Sequence, residues 1–307
     1  GGVHVMCREC KVREAKLFSR GSWLCEDCFL YSVERRFRKT VRKYRLVREG
    51  DKIALAISGG KDSISMLVLM SKIADEMGIQ LAPFHLNLDM GEYSEKAEKI
   101  SLKVAKSLGL HLEVVRPTEE LEVKIRRMGR RSVCSVCGAI KRYSMNKFSR
   151  EIGANKLATG HTLDDIASIF LLNFLNRNYD YIRKMAPISY GAGKMVTRIR
   201  PLYYITEFET KKYLELQNIA YLKEKCPHSE GAKTIELKKV FENLEELVPG
   251  SKASFVRSMR RVIGYEPEVA EVLECRICGE PTSSKDRICS VCRMRRPQSR
   301  SVSSQSD

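Results

Sequence analysis

Eleven cysteines carry most of the chemistry available to this chain, and their spacing sorts them into two sets of four and one of three. Cys7, Cys10, Cys25 and Cys28 form a C-x2-C…C-x2-C set near the start; Cys275, Cys278, Cys289 and Cys292 form another near the end. Four thiolates complete and close the tetrahedral shell of a zinc ion, so both ends read as structural zinc knuckles. Cys134 and Cys137 repeat the CxxC spacing mid-chain, and Cys226 stands alone about ninety residues later. Three thiolates leave a coordination position open, and an open position is where chemistry takes place. Four readings of this trio compete: an iron–sulfur cluster with one iron unligated by protein, a transient disulfide and persulfide relay, a third zinc site with His228 as fourth ligand, and buried thiols without a ligand.

A second constellation is Ser58-Gly59-Gly60-Lys61-Asp62-Ser63. Its glycines let backbone N–H groups approach phosphate oxygens, Ser58 and Ser63 add hydroxyls, and Lys61 adds a point charge. The spacing is not that of a Walker A loop. A third is Gly160-His161-Thr162-Leu163-Asp164-Asp165, where Asp165 is the candidate for Mg2+ or nucleotide handling. The plainer reading of that stretch is a Thr162 helix cap with two aspartates complementing the dipole.

Both stretches follow apolar runs. Residues 52–58 read as a buried parallel strand, and residues 63–77 as the helix after the glycine turn. Strands at 81–88, 111–116 and 156–159 alternate with helices at 94–109, 138–151 and 162–175, which predicts an α/β core with a parallel sheet. Residues 29–48 read as a basic amphipathic helix with Phe29, Val33, Phe37 and Val41 on its apolar side. Beyond Pro201 the pattern is mainly helical, clearest at 207–217, 234–247 and 251–262. The expected layout is an N-terminal knuckle over 1–30, a catalytic domain over 31–265, a C-terminal knuckle over 266–295 and a disordered Arg- and Ser-rich tail over 296–307.

Fifty-five basic against 38 acidic residues give a net charge of +17, which suggests a polyanionic partner, nucleic acid first. Arg35, Arg38, Arg42 and Arg45 recur at helical spacing; Arg126, Arg127, Arg130 and Arg131 precede the central CxxC; Arg257, Arg260 and Arg261 cluster later. No run approaches the roughly 18 apolar residues needed to cross a bilayer, so the expectation is a cytoplasmic protein without a membrane partner.

Ser58 to Ser63 resembles the SGGxDS signature of the PP-loop ATP pyrophosphatase superfamily, and residues 160–165 resemble its GHxxDD motif. The resemblance narrows with Cys134-Ser-Val-Cys137-Gly-Ala-Ile-Lys141-Arg142-Tyr143, then Cys226-Pro-His with Gly231-Ala-Lys233 close behind. Together with both terminal knuckles these are similar, over nearly the whole chain, to the tRNA 2-thiouridine synthetases of the TtuA type. The resemblance implies a PP-loop core in which Ser58 to Ser63, with Gly160 and His161, grip ATP. It implies a 4Fe-4S cluster on Cys134, Cys137 and Cys226, with a free iron that binds the incoming sulfur. Lys141 and Asp165 match residues needed for activity. The implied reaction adenylates the uracil O2, with Mg2+ on the phosphates, and replaces that oxygen with sulfur. Two Zn2+, a ubiquitin-like thiocarboxylate sulfur carrier and a homodimer are implied as well. The CSVCGxxKRY and CPHxxGAK stretches favour the T-loop 5-methyluridine as target. The wobble uridine of the anticodon, or a PP-loop ligase without sulfur chemistry, are the alternatives. Some terminal ligands in relatives are histidine; here all eight are cysteine.

Overall fold

The structure, a computed structural model, describes residues 5–129, 131–228, 233–264 and 272–295. Arg130, Gly231 and the tail expected to be disordered lie outside the described residues. A hairpin of β1 (Leu17–Ser19) and β2 (Ser22–Leu24) leads into α1 (Glu26–Lys43). The core runs through β3 (Lys52–Ala56), α2 (Lys61–Ala74), β4 (Gln80–Leu86), α3 (Glu92–Ser107), β5 (Glu113–Val115), α4 (Pro117–Glu120), α5 (Val133–Glu151), β6 (Lys156–Ala158) and α6 (Leu163–Leu175). Then follow α7 (Tyr179–Lys184), β7 (Ile188–Ser189), β8 (Thr197–Ile199), α8 (Glu207–Glu215), α9 (Lys233–Leu247) and α10 (Ser251–Ile263). The hairpin of β9 (Leu273–Glu274) and β10 (Pro281–Thr282), with α11 (Ser290–Arg295), completes the described chain.

The central sheet has the order β5-β4-β3-β6-β8-β7, parallel throughout except for β7 at the edge. Ile53, Ala54 and Leu55 of β3 and all of β6 are buried, as strands covered on both faces must be. Chain order runs outward from β3 to β5 on one side and from β6 to β8 on the other. The reversal between β3 and β6 is a topological switch point, and the crevice beyond the carboxyl ends of such strands is where α/β sheets bind ligands. A buried ion pair holds these two strands in register at their other ends: Lys156 Nζ lies 2.6 Å from Asp51 Oδ2, and Asn155 Nδ2 donates to Asp51 Oδ1 at 2.7 Å.

The α/β reading from the sequence stands, with two local differences. The helix expected from residue 138 begins at Val133, capped by the Ser132 hydroxyl, which accepts from Ser135 N at 3.2 Å. Beyond Asn176 lie β7 and β8, two- and three-residue strands that the sequence pattern does not mark.

Helix α1 buries Phe29, Val33, Phe37 and Val41 as its spacing predicts. Of its basic residues, Arg36 pairs with the buried Glu209 at 2.6 Å, and Arg38 and Arg42 both pair with Glu76 at the surface. Cys7, Leu24 and Cys25 of the first knuckle share the main apolar core. Cys275, Cys289 and Cys292 of the second share a smaller core with Val136 and Ile140 of α5. No helix among the described residues is long and apolar enough to cross a membrane.

Candidate active site

The phosphate loop is a strand-to-helix turn at the switch point. Gly59 takes φ +89°, and a Cβ there would stand 2.9 Å from the Ala97 carbonyl oxygen, so only glycine fits the turn against α3. Ser63 Oγ accepts from Ser58 N at 3.0 Å and lies 3.0 Å from Ser58 Oγ, closing the loop on itself. Gly60 N-caps α2, so the N–H groups of its first turn face the crevice mouth. Gly160, at the end of β6, backs onto that turn: a Cβ on it would come 3.1 Å from Ser63 N and Cα. The two motifs, about a hundred residues apart in sequence, are therefore in contact.

Beside the loop, Asp62, Asp165 and Glu207 bring carboxylate oxygens within 4.8 Å of one another. Such an all-oxygen set suits a hard divalent cation. Asp165 also forms a capping box with Thr162, accepting from Thr162 N at 2.9 Å, so the helix-cap reading and the ligand reading both apply to it. Lys238 of α9 lies 2.6 Å from Asp165 Oδ1 and also pairs with Glu207; Lys61 lies 3.1 Å from Asp62 and 3.4 Å from Glu207. Burial pushes the Asp62 carboxyl up to about 6, against the pull of Lys61 and helped by the charges of Asp165 and Glu207. Burial also acts on Asp165, but there the ammonium of Lys238 outweighs it and holds the group below the usual carboxylate range. Asp164 faces away from this cluster: it pairs with Lys252 of α10 and accepts from Glu207 N at 2.7 Å. His161 is half-buried, and desolvation with the nearby Arg200 guanidinium lowers its pKa to about 4; its Nδ1 meets Thr159 Oγ1 at 2.8 Å.

The third group hangs from α5. Cys134, Cys137 and Lys141 are spaced i, i+3 and i+7, which puts them on one helix face. Burial raises the Cys137 pKa; Lys141 draws it down, and the Cys226 and Cys134 charges push it up, so the ammonium and the other two thiols all lie around Cys137. Cys134 Sγ donates to the His228 carbonyl at 3.0 Å, which ties the Cys226 segment to the first turn of α5. Cys134 is exposed and the other two are half-buried. Unlike each terminal tetrad, the trio is not drawn within 4.8 Å. That spread fits ligands of a multi-iron cluster better than ligands of one zinc ion, and the positive end of α5 suits an anionic centre.

The terminal tetrads do close up. A Zn–S bond of about 2.3 Å implies sulfurs about 3.8 Å apart in a tetrahedron. Cys10 and Cys25 Sγ stand 4.0 Å apart, and Cys278 and Cys289 Sγ 3.8 Å. Backbone N–H groups of Cys289 and Cys292 donate to Cys275 and Cys289 Sγ at 3.3 Å, as thiolate ligands require. Burial alone would raise the Cys7 and Cys275 thiols; backbone hydrogen bonds bring both down to about 6.

Comparison with known proteins agrees with this geometry. Residues 30–230 match the model of the PP-loop domain family. The tRNA-5-methyluridine(54) 2-sulfurtransferase of Pyrococcus horikoshii is 39% identical, over 94% of this chain and 92% of the relative. The enzyme of the same name from Thermus thermophilus is 31% identical over 94% and 91%. The chain belongs to the PP-loop family, among the TtuA-type tRNA 2-sulfurtransferases. In fold it is similar to the U34-tRNA thiolase NcsA from Methanococcus maripaludis, solved with its [4Fe-4S] cluster: TM-score 0.81 at 28% identity, covering 95% of this chain and 96% of that one.

In this TtuA-type chain, sequence reading missed three residues that the fold brings to the site. Glu207 and Lys238 come from α8 and α9, and nothing in their local sequence marks them. His85, on β4, has its Nδ1 2.7 Å from the Ile57 carbonyl and its buried Nε2 without a hydrogen-bond partner. It lines a cavity of about 130 Å3 that also touches Ser58, Lys141 and Cys226, so the phosphate loop and the thiol site open into one space.

Proposed function

We propose that this protein is an ATP-dependent tRNA uridine 2-sulfurtransferase acting on 5-methyluridine in the T-loop. The observation that carries the reading is the shared cavity of Ser58, Lys141 and Cys226, which sets a nucleotide loop beside a three-thiol site. Three relatives at 31 to 39% identity are named tRNA-5-methyluridine(54) 2-sulfurtransferase, which supports the T-loop target over the wobble position.

ATP lies with its phosphates on Ser58 to Ser63 and the first turn of α2. Asp62, Asp165 and Glu207 fit Mg2+, which neutralises phosphate charge when bound. The uracil O2 attacks the α-phosphorus; the O2–phosphorus bond forms, the bond to the β-phosphate breaks, and pyrophosphate leaves with Lys61 beside it. Sulfur then bonds to C2 and AMP departs with the former O2. The role of the protein is largely positioning. Lys141, next to Cys137, holds the uracil, and His161 stays neutral at physiological pH, so it orients by hydrogen bonding without adding charge. When bound by Cys134, Cys137 and Cys226, a [4Fe-4S] cluster supplies an iron position free of protein thiolate at which sulfur can be held. Two Zn2+ fit the terminal tetrads as structural ions. We assign the knuckles to 1–30 and 266–295 around the catalytic domain, place the enzyme in the cytoplasm as a homodimer, and take a ubiquitin-like thiocarboxylate protein as sulfur donor. An extracted uridine is required, since stacking hides C2.

The test is product stoichiometry under anaerobic conditions. One AMP and one pyrophosphate per sulfur incorporated, dependent on tRNA, is expected. AMP and pyrophosphate release with a tRNA that gains mass other than sulfur would move the protein to the PP-loop ligases.

A further inference from the structure

A cavity of about 410 Å3 lies on the far side of α5 from the thiols, between that helix, the β8 strand and the C-terminal knuckle. Arg142 of α5, Lys184 of α7 and Arg198 of β8 line it, with Ser283 and Ser290 from the knuckle. None of the three cations pairs with a carboxylate among the described residues. The one carboxylate in the wall, Glu280, is held by both guanidinium nitrogens of Arg150, at 2.5 and 2.9 Å. Arg198 is half-buried, and burial together with the Arg142 guanidinium lowers its pKa, so two like charges face each other. A guanidinium does not shed its proton in a protein, so an anion in the cavity would relieve the repulsion and replace the hydration that Arg198 has lost. Arg142 Nη1 lies over the Gly138 turn, 3.0 Å from where a Cβ would stand. On its other side Arg198 is in register with Leu157 of β6, the strand that runs into Gly160 and His161, which places the cavity beside the strand end that builds the crevice.

We infer that Arg142, Arg198 and Lys184 form a phosphate site that grips an RNA phosphodiester beside the extracted nucleotide. Paired guanidiniums match phosphate geometry, and serine hydroxyls can serve the remaining oxygens. A phosphodiester fixed there anchors the backbone while the base reaches the crevice, so the site positions the substrate without reading sequence. The inference rests on the tRNA reading above. Inorganic pyrophosphate, the other phosphate source in this reaction, is the competing occupant.

The test compares the cluster-loaded full chain with Arg142→Ala and Arg198→Lys, and uses three readouts: the Kd for unmodified tRNA across a salt series, the Kd for pyrophosphate, and the iron content. Each variant should weaken tRNA binding by about tenfold. Arg142→Ala should also lower the log–log salt slope by about one. Pyrophosphate affinity and iron content should hold. Unchanged tRNA affinity and slope in both variants would overturn the proposal, as would a loss confined to pyrophosphate. Arg142 is exposed, so its variant folds independently of the outcome at Arg198. A wild-type protein that shows this tRNA signature but thiolates no tRNA would end the sulfurtransferase reading and leave the phosphate site standing.

Discussion

The backbone N–H of Leu222 donates to the Gly59 carbonyl at 2.8 Å, so the phosphate loop is bonded directly to the segment that delivers Cys226 four residues later. One short piece of backbone therefore links the loop to the cysteine-bearing segment. Gly59→Ala would force a Cβ into a left-handed position against the Ala97 carbonyl, a strain of about 1–3 kcal/mol. MgATP should bind at least tenfold more weakly by calorimetry, and iron should leave the protein faster under chelator challenge. Weaker ATP binding with wild-type iron retention would show that the bond does not couple the sites.

Glu207 completes the carboxylate group that Asp62 and Asp165 begin. Glu207→Gln removes one charged ligand and frees Lys61 and Lys238 from one of their partners. The Mg2+ concentration for half-maximal adenylation should rise about tenfold, with kcat recovering at high Mg2+. A kcat loss that Mg2+ does not restore would place Glu207 outside metal binding.

The Asp51–Lys156 pair sets the pH dependence of the switch-point strands. Burial works against the Asp51 charge, but hydrogen bonds from Lys156 and Asn155 prevail and hold its pKa below the usual 3.8. A depressed carboxylate stabilises the fold above its unfolded pKa, and that stability is lost as pH falls through the folded value. Asp51→Asn leaves Lys156 buried and unpaired and should cost on the order of 3 kcal/mol at neutral pH. The gap between wild type and variant should stay constant above pH 4 and shrink below it, read by denaturant unfolding. A gap that widens in acid would reverse the sign of this assignment.

The C-terminal tetrad braces the helix that carries two of the three central thiols. Cys292→Ser should lower the zinc content from two ions to one per chain and lower Tm. It should also reduce cluster loading, although Cys292 is not one of the three central thiols, because Val136 and Ile140 lose their packing. Normal cluster loading in the one-zinc protein would show that α5 stands without the knuckle.

What the sequence made legible was local. The loop at Ser58–Ser63 and the stretch at 160–165 each sit at one strand end, so an apolar run followed by six specific residues was enough to find them. The start of α5 was missed because Cys134 to Gly138 are weak helix formers, although Ser132 was a readable cap. Strands β7 and β8 were too short to show a period of two. Glu207 and Lys238 join the site only through the packing of α8 and α9, which no spacing in one sequence encodes. Periodicity gave the direction of the basic face of α1, but not the partners that Arg36, Arg38 and Arg42 find in Glu209 and Glu76, which come from distant parts of the chain.

The central claim is that the ATP loop and the three thiols act together on one uridine. The direct test is anaerobic reaction of the iron-reconstituted protein with ATP, Mg2+, sulfide and unmodified tRNA, followed by nuclease mapping and mass spectrometry, with Cys226→Ala in parallel. The account predicts a 2-thio group at the T-loop 5-methyluridine from the wild type and none from the variant. Full thiolation by Cys226→Ala would contradict it, as would a cluster-bearing wild type that leaves the T-loop unmodified.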